Sequence, residues 1–322
     1  MRIPCTPVYI VGLCASLVAF AGCGRGSLSG LASGPNSAQP NARRDFTASW
    51  MAPSAKQGRL LYISDGGTED VDIYTYPKLK LVGTLTGFDE PQGICLNKAG
   101  DVWIVNTAVS ELLEYAPFGT NPIATLYDPG EYPVTCSGDG PTGNLAASNL
   151  FSTSDGSSSL SIYKHATGSP DVIEALTRNF FLSYDPKGNL FVEGENSSDN
   201  FALGEIPEGT KKVEQLSVSG ATIESPGPLQ YADGNLALGG QDKTEGITVI
   251  YQLAVSGSVA TVVGTTKLLG SGGTAFFILG HEVVCVNAET LEIAIYKYPA
   301  GGEPIKVIHS SLVEPLGLVI TK

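Results

Sequence analysis

The sequence predicts an all-β fold, a six-bladed β-propeller of four-stranded blades, from three observations. A glycine followed by an apolar, strand-like run recurs about every 45 residues. Each repeat holds several short stretches rich in β-branched and aromatic residues, separated by Gly, Pro or Asn turns. No stretch shows a sustained helical period. Repeats of this length with four short strands are typical of propeller blades. The alternative, two separate β-domains, needs a linker near the middle of the chain, and none follows residue 57.

The glycines that mark the repeat each precede an apolar run. They are Gly58, Gly100, Gly143, Gly188, Gly234 and Gly280. Three of them are followed by Asn-Leu, and a glycine beside a polar residue suits the positive-φ position of a tight hairpin turn. We therefore expect each glycine to begin the second strand of a blade.

The C-terminal segment repeats a pattern of the second blade. Residues 314–320 read Glu-Pro-Leu-Gly-Leu-Val-Ile, and residues 90–96 read Glu-Pro-Gln-Gly-Ile-Cys-Leu. In the second blade this segment precedes the hairpin as the innermost strand, but no such segment stands before Gly58. We therefore expect residues 314–321 to complete the first blade beside residues 60–63. That pairing closes the ring and removes an open sheet edge.

The N-terminal region predicts export. Arg2 precedes an apolar run from Val8 to Gly22, which has the length of a signal peptide and is short for a membrane span. Residues 19–23 read Ala-Phe-Ala-Gly-Cys and resemble a bacterial lipobox. This resemblance implies that residues 1–22 are removed and that Cys23 is lipidated. Since Gly24 rather than Asp follows, it also implies a lipid-anchored protein of the cell envelope, at the outer membrane. An ordinary signal peptide cut nearby is the alternative.

Residues 23–57 are rich in Gly, Ser, Ala, Pro and Asn, which predicts a flexible tether. Trp50 and Met51 near its end either dock on the folded body or stay exposed. The propeller itself is expected to span residues 58–322.

The second repeat resembles a known family. Residues 91–94 read Pro-Gln-Gly-Ile, residues 100–106 Gly-Asp-Val-Trp-Ile-Val-Asn, and residues 111–115 Glu-Leu-Leu-Glu-Tyr. Together they are similar to an NHL-repeat unit. The resemblance implies the six-bladed class that NHL-repeat proteins share with gluconolactonase-like enzymes. It says little about activity, because propellers host many unrelated functions.

Composition limits the partners. The chain has 32 Asp and Glu against 19 Lys and Arg, a net charge of −13. No basic stripe is present, which argues against nucleic acid as a partner. The acidic balance favours solubility and cationic partners. We expect a monomer that contacts the membrane only through its lipid.

The sequence offers little catalytic chemistry. The only histidines are His165, His281 and His309, and none has metal-ligand spacing to another His or Cys. No Gly-x-Ser-x-Gly elbow, His-Glu-x-x-His motif or phosphate loop occurs. The acidic run at residues 65–72 is either a solvated hairpin or a Ca²⁺-binding loop. We expect no catalytic residue, no metal and no cofactor.

Three cysteines follow Cys23. Cys95 and Cys136 occupy equivalent places on the inner strands expected for neighbouring blades. We predict a disulfide between them if their Cα atoms lie within about 7 Å. Cys285, inside an apolar strand, should be a buried free thiol.

Polar residues end the second strand of each predicted blade, and on one face of a propeller these strand ends form a ring. The five that we expect to line a ligand face are Asp65, Asn106, Asn149, Asn196 and Gln241. Turn chemistry alone also favours such residues at these positions. The sequence thus favours a non-catalytic binding or scaffold module for a protein, peptide or glycan. The alternative is a lactonase- or lyase-type enzyme with a metal that the sequence does not reveal.

Overall fold

The computed structural model describes residues 45–242, 244–273 and 275–321. The predicted signal peptide, the lipidation site Cys23 and most of the predicted tether lie outside these residues. Among the described residues, no helix is long and apolar enough to cross a membrane. The only helical pieces described are 3-10 turns at Phe46–Ala48, Pro53–Lys56, Thr107–Val109 and Lys164–Ala166.

The rest of the regular structure is β-strand. The first twelve strands are β1 (Trp50–Met51), β2 (Arg59–Asp65), β3 (Asp70–Tyr76), β4 (Leu81–Leu85), β5 (Pro91–Leu96), β6 (Val102–Asn106), β7 (Glu111–Tyr115), β8 (Ala124–Tyr127), β9 (Glu131–Gly138), β10 (Leu145–Ser152), β11 (Ser159–Tyr163) and β12 (Asp171–Ile173). The remaining strands are β13 (Arg178–Tyr184), β14 (Leu190–Glu195), β15 (Phe201–Ile206), β16 (Glu214–Ser219), β17 (Leu229–Ala232), β18 (Asn235–Asp242), β19 (Ile247–Ser256), β20 (Val259–Leu268), β21 (Ala275–Leu279), β22 (Glu282–Asn287), β23 (Glu292–Lys297), β24 (Lys306–His309) and β25 (Pro315–Ile320).

These strands form five sheets in a propeller-like arrangement. The first has five strands in the order β1-β4-β3-β2-β25. Three sheets have four strands each: β5 to β8, β9 to β12, and β21 to β24. Strands β13 to β20 form one sheet of eight strands. The prediction of six separate four-stranded blades is therefore wrong for this part of the chain. Below, a unit is one of the smaller sheets or one half of the eight-stranded sheet, numbered along the chain.

The eight-stranded sheet arises because the outer strands of two successive units pair. Strands β16 and β20 lie parallel, with Ser217–Ser219 beside Val259–Thr261. Strands β19 and β20 have 10 residues each, and their hairpin reaches the neighbouring unit. At its tip the Ser258 carbonyl accepts a hydrogen bond of 2.9 Å from the Ser217 N–H. The outer edge of unit 4 is covered in this way.

The hydrophobic core lies between neighbouring units. Between units 2 and 3, fully buried Trp103 packs with Leu145 and Tyr163. Between the two halves of the eight-stranded sheet, Phe191 packs with Leu236. Successive units thus bury their faces against each other around a common axis, as propeller blades do.

The C-terminal strand completes the first sheet, as predicted. Strand β25 pairs antiparallel with β2, with Leu61 opposite Ile320 and Ile63 opposite Leu318. The Leu60 N–H also donates to the Thr321 hydroxyl at 2.9 Å. This pairing joins the end of the chain to the unit that its early residues form.

The chain docks earlier than the predicted boundary at residue 57. Strand β1 pairs with β4, so that Trp50 lies opposite Thr84, although Trp50 remains 45% exposed. Phe46 packs against the first core cluster, and Ala55 is buried within it. A sheet edge left open at β4 would be available for unwanted pairing, and residues 45–57 cover it.

The repeat glycines have the backbone that the sequence predicts. All six have positive φ, including Gly100 at 94° and Gly234 at 81°. At these two positions an added Cβ would meet no atom within 4 Å. Glycine is therefore favoured there by backbone conformation rather than by lack of space.

Replacing Gly317 in the closing strand by Ala should destabilise the fold by about 1–3 kcal/mol, the usual cost of overpacking. The added Cβ would lie 2.4 Å from the Gln92 carbonyl oxygen and 3.1 Å from the Gly93 Cα. The control is Gly140→Ala, where a Cβ meets nothing within 4 Å and φ is not left-handed. Urea unfolding measures both variants, and equal stabilities would contradict this account of the closure.

Candidate functional site

The innermost strands of the units line a central channel. Strands β5, β9, β13, β17, β21 and β25 surround a cavity of about 370 Å³. Its wall is mostly backbone and apolar side chains, such as those of Phe181, Phe277 and Leu318. Asn97 and Lys98 lie at one end of it. Among the described lining residues there is no carboxylate and no histidine.

Polar side chains in this wall bind the neighbouring strand. The Ser183 hydroxyl accepts a hydrogen bond of 2.8 Å from the Tyr231 N–H. The Gln230 amide both donates to the Ile278 carbonyl at 2.9 Å and accepts from the Ile278 N–H at 2.7 Å. These groups join one unit to the next, so they stabilise the ring rather than face a ligand.

A disulfide makes a further link of this kind. Cys95 on β5 and Cys136 on β9 are bonded, with their Cα atoms 5.7 Å apart. Cys285 is a free, buried thiol. Burial raises its pKa to about 11, which disfavours the reactive thiolate.

The five polar residues expected to line a ligand face separate into two groups. Asn196 and Gln241 are exposed. Asp65, Asn106 and Asn149 are buried, at 2%, 0% and 0% exposure. The expectation of one exposed ring formed by all five is therefore wrong, because three of these side chains turn inward to the protein's own polar groups.

Asp65 binds the segment that leads into the closing strand. Its carboxylate accepts hydrogen bonds from the Val313 N–H at 2.7 Å and the Glu314 N–H at 2.8 Å. It also accepts from the N–H groups of Gly67 and Thr68 in its own turn, at 3.0 and 3.3 Å. The Asp-Gly-Gly-Thr sequence is typical of such a turn, but the contact with residue 313 is a tertiary one.

Asn106 and Asn149 also bind within the protein. The Asn106 side-chain oxygen accepts from the Asp89 N–H at 2.7 Å. The Asn149 amide donates to the hydroxyls of Ser159 and Ser161, each at 3.0 Å. Asn106 thereby joins its unit to the preceding connection, and Asn149 ties β10 to β11.

The side chains of Asn196 and Gln241 also form hydrogen bonds within the protein. The Asn196 side-chain oxygen accepts from the N–H groups of Ser198 and Asn200 at 2.9 and 3.3 Å. The Gln241 amide donates to the Gly273 carbonyl at 3.3 Å. Both remain accessible from solvent.

Two kinds of connection meet at one end of the units, and we call this end the loop face. One kind joins the second and third strands of a unit, and the other joins successive units. Backbone hydrogen bonds link them: Thr107 N–H to the Glu90 carbonyl at 3.2 Å, and Thr153 N–H to the Gly130 carbonyl at 2.7 Å. The hairpins of the repeat glycines lie at the opposite end, the turn face.

The loop face is strongly acidic. The exposed carboxylates on its loops are Glu69, Asp89, Asp155, Glu174, Asp199, Glu224, Glu245, Glu289 and Glu314. The described cations there are Arg178 and Lys267, and both are paired. Arg178 lies 3.0 Å from Glu195, and Lys267 lies 2.7 Å from Glu245.

The turn face carries most of the other cations. They are Arg59, Lys78, Lys80, Lys98, Lys164, Lys187, Lys211, Lys212, Lys297 and Lys306. Acidic residues are also present there, including Asp171, which binds Lys164 and Lys211 at 3.2 and 2.9 Å. The described cations are thus concentrated at the turn face, whereas carboxylates lie at both ends, so the loop face is the more acidic of the two. This difference is visible only once the loops are assigned to a face.

Glu193, a fully buried carboxyl on β14, is not among the residues that the sequence motifs predict to be functional. It accepts hydrogen bonds from the Phe181 N–H at 3.1 Å and the Gly227 N–H at 3.3 Å. Burial raises its pKa well above the usual value. The available signal was a lone Glu inside the apolar run Leu-Phe-Val-Glu-Gly.

No group of three or more His, Cys, Asp or Glu in the described parts of the chain is arranged to hold a metal ion. His165 is exposed, with Nδ1 2.9 Å from the Thr142 carbonyl. His309 lies 3.5 Å from Glu292. Neither histidine faces the channel cavity.

Solved structures similar to this chain support a β-propeller fold. One chain from a crystal structure of a nidogen/laminin complex has a TM-score of 0.64 and 11% identity, covering 82% of this chain and 99% of that one. A protein of unknown function from Bacteroides caccae has a TM-score of 0.61 and 14% identity, with coverages of 82% and 99%. No family model and no curated protein matches the chain. At these identities the likeness concerns the fold alone.

Replacing Asp65 by Ala should destabilise the protein by about 3 kcal/mol, because buried N–H groups lose their acceptor. Replacing exposed Asn196 by Ala should change stability by only about 0.5 kcal/mol. Urea unfolding compares the two variants. Similar stabilities would mean that Asp65 does not hold the closure.

Glu193 should make stability depend on pH. A carboxyl whose pKa is raised in the folded state binds its proton more readily there than in the unfolded chain. Stability should therefore fall as pH rises from the ordinary value near 4.5 towards the raised one. Glu193→Gln should flatten this dependence more than Glu205→Gln, a shallower carboxyl whose pKa burial also raises. Urea unfolding across pH tests this, and an unchanged slope in Glu193→Gln would contradict it.

Proposed function

We propose that this chain is a non-catalytic binding module that holds a cationic protein or peptide at its loop face. The observation that carries the proposal is the difference in charge between the two faces. Exposed carboxylates crowd the loops of this face, whereas the described cations there are already paired. Loops on a rigid scaffold are the usual place for binding residues.

The acidic face suits partner capture by electrostatic steering. Complementary charge raises association rates and suppresses partners of the wrong sign. The field extends roughly 8 Å at physiological salt, so carboxylates on neighbouring loops act together. A protein or peptide with a basic surface therefore fits this face better than a neutral or acidic glycan.

We further propose that the chain is an envelope lipoprotein of the NHL-like, six-bladed class. The lipobox-like residues 19–23 support lipidation at Cys23 and an outer-membrane location. The six repeat glycines support six blades, with the eight-stranded sheet formed by two blades whose outer strands have joined. Labelling cells with a lipid precursor, with Cys23→Ser as control, tests the anchor.

The binding proposal predicts a face-specific loss of association. The loop-face variant carries Glu69→Gln, Asp89→Asn, Asp155→Asn and Glu289→Gln. The turn-face control carries Glu208→Gln, Glu214→Gln, Asp233→Asn and Glu303→Gln. Both remove the same charge from exposed positions, so both should fold. Surface plasmon resonance with a lysine-rich peptide should show an association rate about tenfold lower for the loop-face variant only.

The natural partner is sought in parallel by capture from envelope extract with the wild-type chain. A partner that also loses association with the loop-face variant supports the proposal. Equal loss in both variants would mean that only net charge matters, and no loss would overturn the proposal. Calcium or zinc bound to the purified protein, with chelator-sensitive melting, would instead favour the enzyme alternative.

A further inference from the structure

A second cavity, separate from the channel and from the loop face, lies between units 3 and 4. It has a volume of about 240 Å³ and opens near the turn face. Its apolar wall comes from Ile162 on β11, Ile173 on β12, and Leu190 and Ile206 on β14 and β15. A cavity of this size suits a small molecule with a short apolar body.

Asp139 lines this cavity and is 2% exposed. Its Oδ2 accepts hydrogen bonds from the N–H and the hydroxyl of Thr142. Its Oδ1 accepts no hydrogen bond from any residue that the structure describes. A buried carboxylate oxygen without a donor is costly, and this cost is relieved when a ligand brings the donor.

Asp185, the equivalent residue of unit 4, shows why Oδ1 of Asp139 lacks a donor. Asp185 accepts at Oδ1 from the Lys187 and Asn189 N–H groups, at 2.8 and 2.9 Å, and at Oδ2 from the Asn189 amide at 2.9 Å. Its turn closes through a hydrogen bond from the Asp185 N–H to the Asn189 carbonyl.

The turn of unit 3 is one residue longer. It closes from the Asp139 N–H to the Asn144 carbonyl. The Asn144 N–H now donates to the Thr142 hydroxyl at 3.2 Å instead of to the aspartate. The insertion thus removes a donor from Asp139 while keeping its carboxyl beside the cavity. Turn capping therefore accounts for the hydrogen bonds of Oδ2 but leaves Oδ1 without a donor.

We propose that this cavity binds a small organic cation, a primary ammonium group on a compact apolar body. The ammonium would donate to Asp139, which gives a charge-assisted hydrogen bond. Tyr184 also lines the cavity, and an aromatic ring beside the carboxylate favours a cation. Burial, and after it the negative charge of Asp139, raises the pKa of Tyr184, in keeping with the proximity of the two side chains. The apolar wall takes the body of the ligand.

The charges at the rim are consistent with this choice. Lys164 and Lys211 line the cavity, but both are bound to Asp171. Glu208 adds a further carboxylate at the same rim. With Asp139, the lining residues thus include three carboxylates and two lysines, and an anion would have to displace Asp171 from its two partners.

The test uses the full chain with isoleucine methyl groups labelled for NMR, because Ile162, Ile173 and Ile206 report on the cavity. Cyclohexylammonium, cyclohexanol and cyclohexanecarboxylate are the probes, alike in shape and different in charge. Cyclohexylammonium should shift these methyl signals in a saturable way and bind at least tenfold more tightly than the alcohol. Equal binding of the alcohol, tighter binding of the carboxylate, or no binding of the ammonium would overturn the proposal.

Variants locate the ammonium group. Asp139→Asn keeps an acceptor for Thr142 but removes the charge, and it should weaken cyclohexylammonium binding at least tenfold. Asp233→Asn removes the same charge from an exposed turn-face residue that does not line the cavity, and it should leave binding unchanged. Unchanged binding in folded Asp139→Asn would overturn the proposal. If that variant does not fold, the selectivity among the three probes on the wild-type chain decides.

Discussion

The pairing of β25 with β2 is the interaction on which the rest of the molecule depends. It supplies the inner strand of the first sheet, and Asp65 fixes the segment that leads into it through the N–H groups of residues 313 and 314. Without this pairing the first unit would present an open edge to the channel and the ring would have a gap. Every inter-unit core cluster depends on its neighbours staying in place, so the closure stabilises surfaces far from the strand itself.

The channel wall shows how the ring uses its polar groups. Ser183, Gln230 and the Cys95–Cys136 disulfide each join one unit to another. Because the polar groups of the channel wall are bound to neighbouring units in this way, the central channel mainly stabilises the ring. The ends of the molecule remain for recognition. There the two faces differ in charge. The carboxylates of the loop face are exposed, whereas the same connections place Phe88, Leu176 and Leu312 in the core, so their charged positions can vary in sequence more freely than their apolar ones.

The sequence predicts those features that a periodic pattern encodes. The glycine repeat gave the positive-φ turns, and the match between residues 90–96 and 314–320 gave the closing strand. The ligand-face prediction failed for Asp65, Asn106 and Asn149, since the direction of a side chain at a strand end depends on which N–H or hydroxyl groups the neighbouring loop presents. The β16–β20 pairing could not be predicted either, because contact between the outer strands of neighbouring units does not change the spacing of the sequence repeat. The unpaired Oδ1 of Asp139 results from a one-residue insertion in the turn of unit 3. The effect of this insertion is recognised only when the turn is compared with that of unit 4.

The strands of the first sheet come from distant parts of the sequence, which affects the order in which the units can fold. Its strands come from residues near 50, from residues 59 to 85 and from residues 315 to 320. A nascent chain can build units 2 to 6 in sequence, but the first unit waits for the last strand to be synthesised. Contacts of such long sequence separation slow folding. During that delay β2 exposes an apolar edge, so this protein is most exposed to misassociation in the interval before residues 315–320 are available to pair with it.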